Sequence, residues 1–230
     1  MFSPVKNTKV YELVIDQIKS MIVNGTLKRG DKLPPERELV EQLQVSRASI
    51  REAIRALQII GLIECRQGEG NFIKDNFENS LFEPLSIMYL LGESKPLEIL
   101  EVRRIIEIET AALAAKKITD TQLIELKGMI EEFRNNDDEN ENAKIDRELH
   151  YKIAIASGNF LIVSILAAVS SLIDAFIKDA RSKILTGEKN KIALAELHED
   201  IYKALSEHDP SEAAYAMRKH FEFVIKNIEI

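Results

Sequence analysis

Apolar residues recur at helical spacing through most of the chain, and the places where that spacing breaks divide it into elements. Val10, Leu13, Val14, Ile18, Met21 and Ile22 share one face of a helix predicted over about 8–23, and Asn24-Gly25 stops it. A turn-rich link, 26–33, leads to Pro34-Pro35 and a short helix over 36–43, whose early acidic residues suit a helix N-terminus. Gln44-Val45-Ser46 is a break, with Ser46 placed to cap a helix over 47–60. Its inner stripe is Ile50, Ile54 and Leu57, which leaves Arg47, Ser49, Arg51 and Arg55 off the stripe. Gly61 ends that helix. Residues 62–66 and 71–73 then read as two strands around a tight turn at 67–70. Two short helices separated by three or four residues, the second opening with polar and basic side chains, followed by a two-stranded wing, make a winged helix-turn-helix pattern.

From about residue 79 onward the pattern is almost entirely helical. Pro84 opens one helix and Pro96 another, which carries Leu100, Ile105, Ile108, Ala111, Ala112 and Ala115. Thr119 caps a third, the polar run 135–142 reads as a solvated loop, and 143–156 reads as a fourth helix. An apolar helix is predicted over 160–185 and an amphipathic one over 189–206. The last, 210–227, is capped by Asp209 with Pro210 at its first position. The fold class is therefore mainly α: a winged helix-turn-helix over 1–75 and an all-α bundle of about six or seven helices over 76–230.

Charge agrees with that cut. The chain's net charge is −7 over 230 residues, which by itself argues against nucleic acid. Residues 1–75, however, hold twelve Lys and Arg against ten Asp and Glu, so a net +2 reader precedes a −9 remainder. Cys65 is the single cysteine, which excludes an intrachain disulfide and a Cys-rich zinc site and suits a reducing, cytoplasmic setting. MFSPVKNTKVYELV lacks the apolar core of a signal peptide. The uncharged stretch 153–173 approaches membrane-spanning length, but Ser157-Gly158-Asn159 interrupts it. It reads as two helices meeting at a turn, with no membrane partner.

The run KLPPERELVEQLQVSRASIREAIRALQIIGLIECRQGEGNFI, residues 32–73, resembles the winged helix-turn-helix of the GntR family of bacterial transcription regulators. In relatives of the FadR type the arginine of PPERE, the first arginine of the recognition helix and the arginine four residues later contact the operator. The resemblance places these roles on Arg37, Arg47 and Arg51, and puts the wing glycine at Gly68, flanked by Arg66 and Gln67. Arginine reads guanine O6 and N7 bidentately, and Ser46 and Ser49 suit phosphate anchoring. Arg37 and Arg47 are the base-reading candidates; Arg51 suits a phosphate.

Three of the four histidines occupy inward-capable positions on separate predicted helices. Asp146 and His150 lie four apart on one helix face, and His198 and His220 belong to the last two helices. Residues alone leave a metal site and packed core histidines as alternatives. The segments EVRRIIEIETAALAA, DRELHYKIAIASGN, HEDIYKAL and AAYAMRKHFEFVI are similar to the FCD effector domain of one GntR subfamily. That resemblance implies the metal ligands Asp146, His150, His198 and His220 and a divalent transition metal, zinc foremost, with nickel and manganese also suited. It also implies small organic acids as effectors. Arg103 is the candidate carboxylate clamp, against an alternative intrahelical ion pair with Glu107; Asn159 either caps the next helix or touches the ligand. His208, in a turn beside Asp209-Pro210, receives no role.

The implied protein is a homodimeric, ligand-responsive regulator that binds double-stranded operator DNA, a repressor released by a small carboxylate. The alternatives are a regulator for which the metal itself is the signal, and a metal-dependent enzyme. No general-base motif, phosphate-binding loop or nucleophile constellation supports the enzyme.

Overall fold

The chain divides into two units, residues 1–80 and 81–230, and the apolar stripes are buried within each: in one cluster in the first unit and, among the described residues, in several in the second. The structure, a computed structural model, describes residues 9–75, 80–176 and 188–227.

In the first unit α1 (Val10–Val23), α2 (Glu36–Leu43) and α3 (Arg47–Ile59) precede an antiparallel hairpin of β1 (Ile63–Arg66) and β2 (Gly70–Ile73). Val14, Ile18, Leu33, Leu39, Ile50, Ile54, Leu57, Ile63 and Ile73 are all buried in one cluster, so both helix stripes and the inner strand positions face a common core. Ser46 caps α3: its Oγ accepts the Ser49 N–H at 3.1 Å. Gln44 takes a left-handed conformation (φ 53°) and turns the chain between α2 and α3. The link 26–33 is more ordered than its turn residues predict. Leu33 N–H donates to Asn71 O at 2.8 Å and Ile73 N–H to Asp31 O at 2.8 Å, so this segment lies along β2 as a short third edge. Unmet backbone groups on the β2 edge drive the pairing.

The second unit contains, among the described residues, α4 (Phe82–Leu91), α5 (Pro96–Ala115), α6 (Asp120–Asn135), α7 (Glu139–Ala156), α8 (Phe160–Phe176), α9 (Glu188–Ser206) and α10 (Pro210–Asn227). α5 packs most extensively against α10. Ala111, Ala114 and Ala115 meet Ala213, Ala216 and Met217 there, small side chains that let two helices approach closely. α4 begins two residues before Pro84, because a proline in the first helical turn forfeits only an N–H that has no intrahelical partner. The polar run 135–142 is a loop only at its start. Asp138 Oδ1 accepts the N–H groups of Asn140 (2.9 Å) and Glu141 (3.2 Å), so α7 starts at Glu139 with acidic residues in its first turn. Capping outweighed the absence of an apolar stripe in that run. The helix predicted over 160–185 is described to Phe176; its remainder lies outside the described residues. Residues 153–173 belong to two helices joined at Ser157–Asn159, and among the described residues no helix is long and apolar enough to cross a membrane.

Candidate functional site

In the first unit the stripe Ile50, Ile54 and Leu57 turns inward, and Arg47, Arg51 and Arg55, spaced by four, line an exposed face of α3. Arg37 is exposed on α2 and pairs with Glu41 at 3.3 Å; Arg51 pairs with Glu36 of α2 at 3.0 Å. Among the described residues Arg47 forms no ion pair. Exposed pairs of this kind contribute roughly 0–1 kcal/mol. Arg37 and Arg51 can exchange their carboxylates for phosphate or base at little cost. Ser46 and Ser49 are engaged at the α3 N-terminus, their hydroxyl oxygens 3.0 Å apart. On the wing, Gln67 and Gly68 form the exposed tip. Gly68 takes φ +78° with nothing within 4 Å of where a Cβ would stand. Arg66 pairs with Glu64 at 2.6 Å and stacks its guanidinium 4.3 Å over the Phe72 ring.

In the second unit four donors converge from three helices. Asp146 and His150 come from α7, one turn apart; His198 comes from α9 and His220 from α10. One ligand atom from each lies within 4.8 Å of the others, and the three imidazoles are buried. His150 Nε2 stands 3.1 Å from His220 Nε2 and 3.7 Å from Asp146 Oδ1, and His198 Nε2 stands 3.0 Å from the same oxygen. Two donors about 2.1 Å from one ion at tetrahedral to octahedral angles are roughly 3.0–3.4 Å apart. The 3.0 and 3.1 Å separations match that spacing, and the 3.7 Å separation and the 4.8 Å outer limit are wider. The donor set of three imidazoles and one carboxylate is of the kind that holds a divalent ion. Phe133 of α6 packs edge-on against His198, with ring centroids 5.1 Å apart, and Phe221 packs beside His220 at 5.4 Å. These rings wall the cluster on its apolar sides.

Behind His150 stands a residue that the sequence presents only as a possible partner of Arg103. Glu107 accepts the His150 Nδ1–H with one carboxylate oxygen and the Arg103 Nε–H with the other, and all three groups are buried. Burial alone would raise the Glu107 carboxyl, but Arg103 and His150 reverse that effect and hold it down to about 2. Glu107 is therefore ionised at neutral pH. Its bond to the Nδ1 side orients the His150 ring so that Nε2 faces Asp146 and His220. The signal in the sequence was an acid inside an apolar helix, Ile105-Ile106-Glu107-Ile108, where a carboxylate needs a buried partner.

The intrahelical pair considered for Arg103 is thus formed, and its guanidinium also lies 5.5 Å from the centre of the Phe221 ring. Asn159 caps α8, its Oδ1 accepting the N–H groups of Leu161 (3.1 Å) and Ile162 (3.3 Å). His208 does have a structural contact. It takes a left-handed conformation (φ 53°), and its Nδ1 lies 2.8 Å from Ala115 O, closing the α9–α10 turn onto the end of α5.

Residues 10–73 match the family described as bacterial regulatory proteins, gntR family, and residues 98–223 match the FCD domain. The chain belongs to the GntR family. This GntR regulator is 37% identical over 202 residues to the HTH-type transcriptional regulator LutR of Bacillus subtilis (strain 168), covering 87% of this chain and 92% of that protein. It is 28% identical over 225 residues to the Glc operon transcriptional activator of Escherichia coli (strain K12), covering 95% and 89%. Among solved structures it is similar to the Streptococcus agalactiae GntR, with a TM-score of 0.72 and 29% identity over 94% of this chain and 99% of that one. The Bacillus subtilis and Escherichia coli relatives are named as a transcriptional regulator and a transcriptional activator rather than as enzymes, and the GntR chain is a DNA-binding regulator.

Proposed function

We propose that residues 1–75 read operator DNA and that residues 76–230 bind a small carboxylate at a divalent transition metal and hold two copies together, so that the effector releases a repressor from its operator. The observation that carries this reading is the four-donor cluster on α7, α9 and α10, with the second nitrogen of His150 fixed by the Arg103-paired Glu107. Zinc is the first choice of ion for three imidazoles and one carboxylate; nickel and manganese also suit that set. Four protein donors leave one or two positions of a five- or six-coordinate ion as Lewis-acid sites for a carboxylate oxygen. Arg103 supports the opposite end through the donors that Glu107 does not use. Asn159, which caps α8, is the second candidate for contact with the effector.

On the DNA, Arg37 and Arg47 read bases, and Arg51, Ser46, Ser49, Arg66, Gln67 and Gly68 position the chain on the backbone. A symmetric dimer presents two such readers to two half-sites. Effector binding changes their spacing only through differential affinity for two arrangements of the helices. The donors all come from the chain's own helices, which also supports a second reading in which the ion alone, tying α7, α9 and α10, is the signal.

The test uses the full chain bound to a duplex selected from a random pool by the protein itself. The chain is stripped with chelator, reloaded with zinc, nickel or manganese, and titrated with small mono- and dicarboxylic acids. Release by acid from the metal-loaded chain only is the expected result. Release or capture by metal alone favours the sensing reading, and indifference of the loaded chain to every acid overturns the carboxylate reading.

Glu107→Gln probes the support of His150 directly. It keeps the volume but removes the charge that orders the imidazole, and metal affinity is expected to fall about 10- to 100-fold. Competition with a chromophoric chelator measures this. Unchanged affinity would assign Glu107 to packing alone.

A further inference from the structure

We propose that Lys32 is a phosphate-binding residue of the wing, held in place by Phe72 and Gly70; this rests on the DNA-reading role of the first unit. Lys32 lies in the segment that pairs with β2, and its own backbone bridges to Phe72. The neighbouring bonds, Leu33 N–H to Asn71 O and Ile73 N–H to Asp31 O, fix where its side chain leaves the sheet. The stem then crosses Gly70: its Cε would stand 3.3 Å from a Cβ built there, and Gly70 takes φ +115°. The positive φ favours glycine here, and a Cβ at this position would press on the lysine stem. The ammonium ends 5.8 Å from the centre of the Phe72 ring.

The same ring holds a second cation. Arg66 stacks on Phe72 at 4.3 Å, but its charge is met by Glu64 at 2.6 Å and approached by Asp75 at 3.7 Å. Lys32 is exposed and, among the described residues, forms no ion pair. An aromatic face steers an ammonium without neutralising it. The wing thus carries one compensated cation and one uncompensated cation on a shared platform. An uncompensated ammonium projecting from the wing of a DNA reader has phosphate as its natural counter-ion, and as a point charge it contributes affinity without sequence preference.

Each phosphate neutralised on B-DNA contributes about 0.9 to the slope of log K against log salt. The experiment measures that slope for the full chain on the selected duplex. Lys32→Met keeps the unbranched stem over Gly70 and Phe72 and is expected to lower the slope by about 0.9 per bound chain, with an unchanged melting temperature. Lys32→Arg is expected to keep the slope of the unsubstituted chain. A Lys32→Met chain with the original slope, or a Lys32→Arg chain that loses slope as the methionine does, overturns the proposal. An unsubstituted chain that selects no duplex at all fails at the reader itself, which separates that failure from a failure at Lys32.

Discussion

His220→Ala is expected to abolish stable metal binding, lowering affinity on the order of 100-fold or more, beyond the 10- to 100-fold typical of losing a supporting partner. His220 supplies the donor from α10, 3.1 Å from the His150 nitrogen, and without it the cluster has no ligand from the helix packed most extensively on α5. The ring is buried, so alanine also opens a cavity. His220→Gln nearly preserves the volume and separates lost ligation from lost packing. Metal content after dialysis, read by elemental analysis, decides the matter: a fully metallated His198→Ala, His220→Ala chain would dispose of the site. The organic-acid response should disappear with the metal, while helical circular dichroism of His220→Gln stays near that of the unsubstituted chain.

Arg47→Ala should cost the selected duplex about 1–3 kcal/mol, roughly 5- to 150-fold in affinity, if Arg47 makes a bidentate base contact. Its place on the exposed face of α3, directly after the Ser46 cap and without an acid partner among the described residues, makes its guanidinium available without breaking an internal pair. The loss should be smaller on random duplexes, because a base contact discriminates among sequences whereas a phosphate contact does not. Titrations of both duplexes with the folded variant give the comparison. Equal affinity of Arg47→Ala and the unsubstituted chain for the selected duplex would remove the recognition role from this residue.

Much of the architecture was legible because local rules and burial coincide in this chain. The inner stripe of α3, the Ser46 cap, the Thr119 cap and the Asp209-Pro210 start of α10 each appear in the structure where residue type and spacing put them. The start of α7 was not legible from apolar periodicity, since Glu139–Asn142 carry no apolar residue and the helix there rests on the Asp138 cap. The pairing of 31–33 with β2 was hidden for a different reason. Backbone hydrogen bonds between segments some forty residues apart leave no mark on either segment's side-chain pattern.

The start of α7 aside, the sequence by itself determined most of the helical elements, the exposed arginine face, and the four-residue spacings that set Asp146 beside His150 and Arg103 beside Glu107. All of these follow from the 3.6-residue period and the need to bury apolar stripes. Only the tertiary structure decided that Asp146, His150, His198 and His220 meet within 4.8 Å, that Glu107 turns its second oxygen to His150 across 43 residues, and that Lys32 shares the Phe72 ring with Arg66. A helix period fixes which face a residue occupies. Which faces meet depends on how α5, α7, α9 and α10 pack, and that is settled by the shapes of many side chains at once, with small residues such as Ala111 and Ala216 bringing α5 and α10 together.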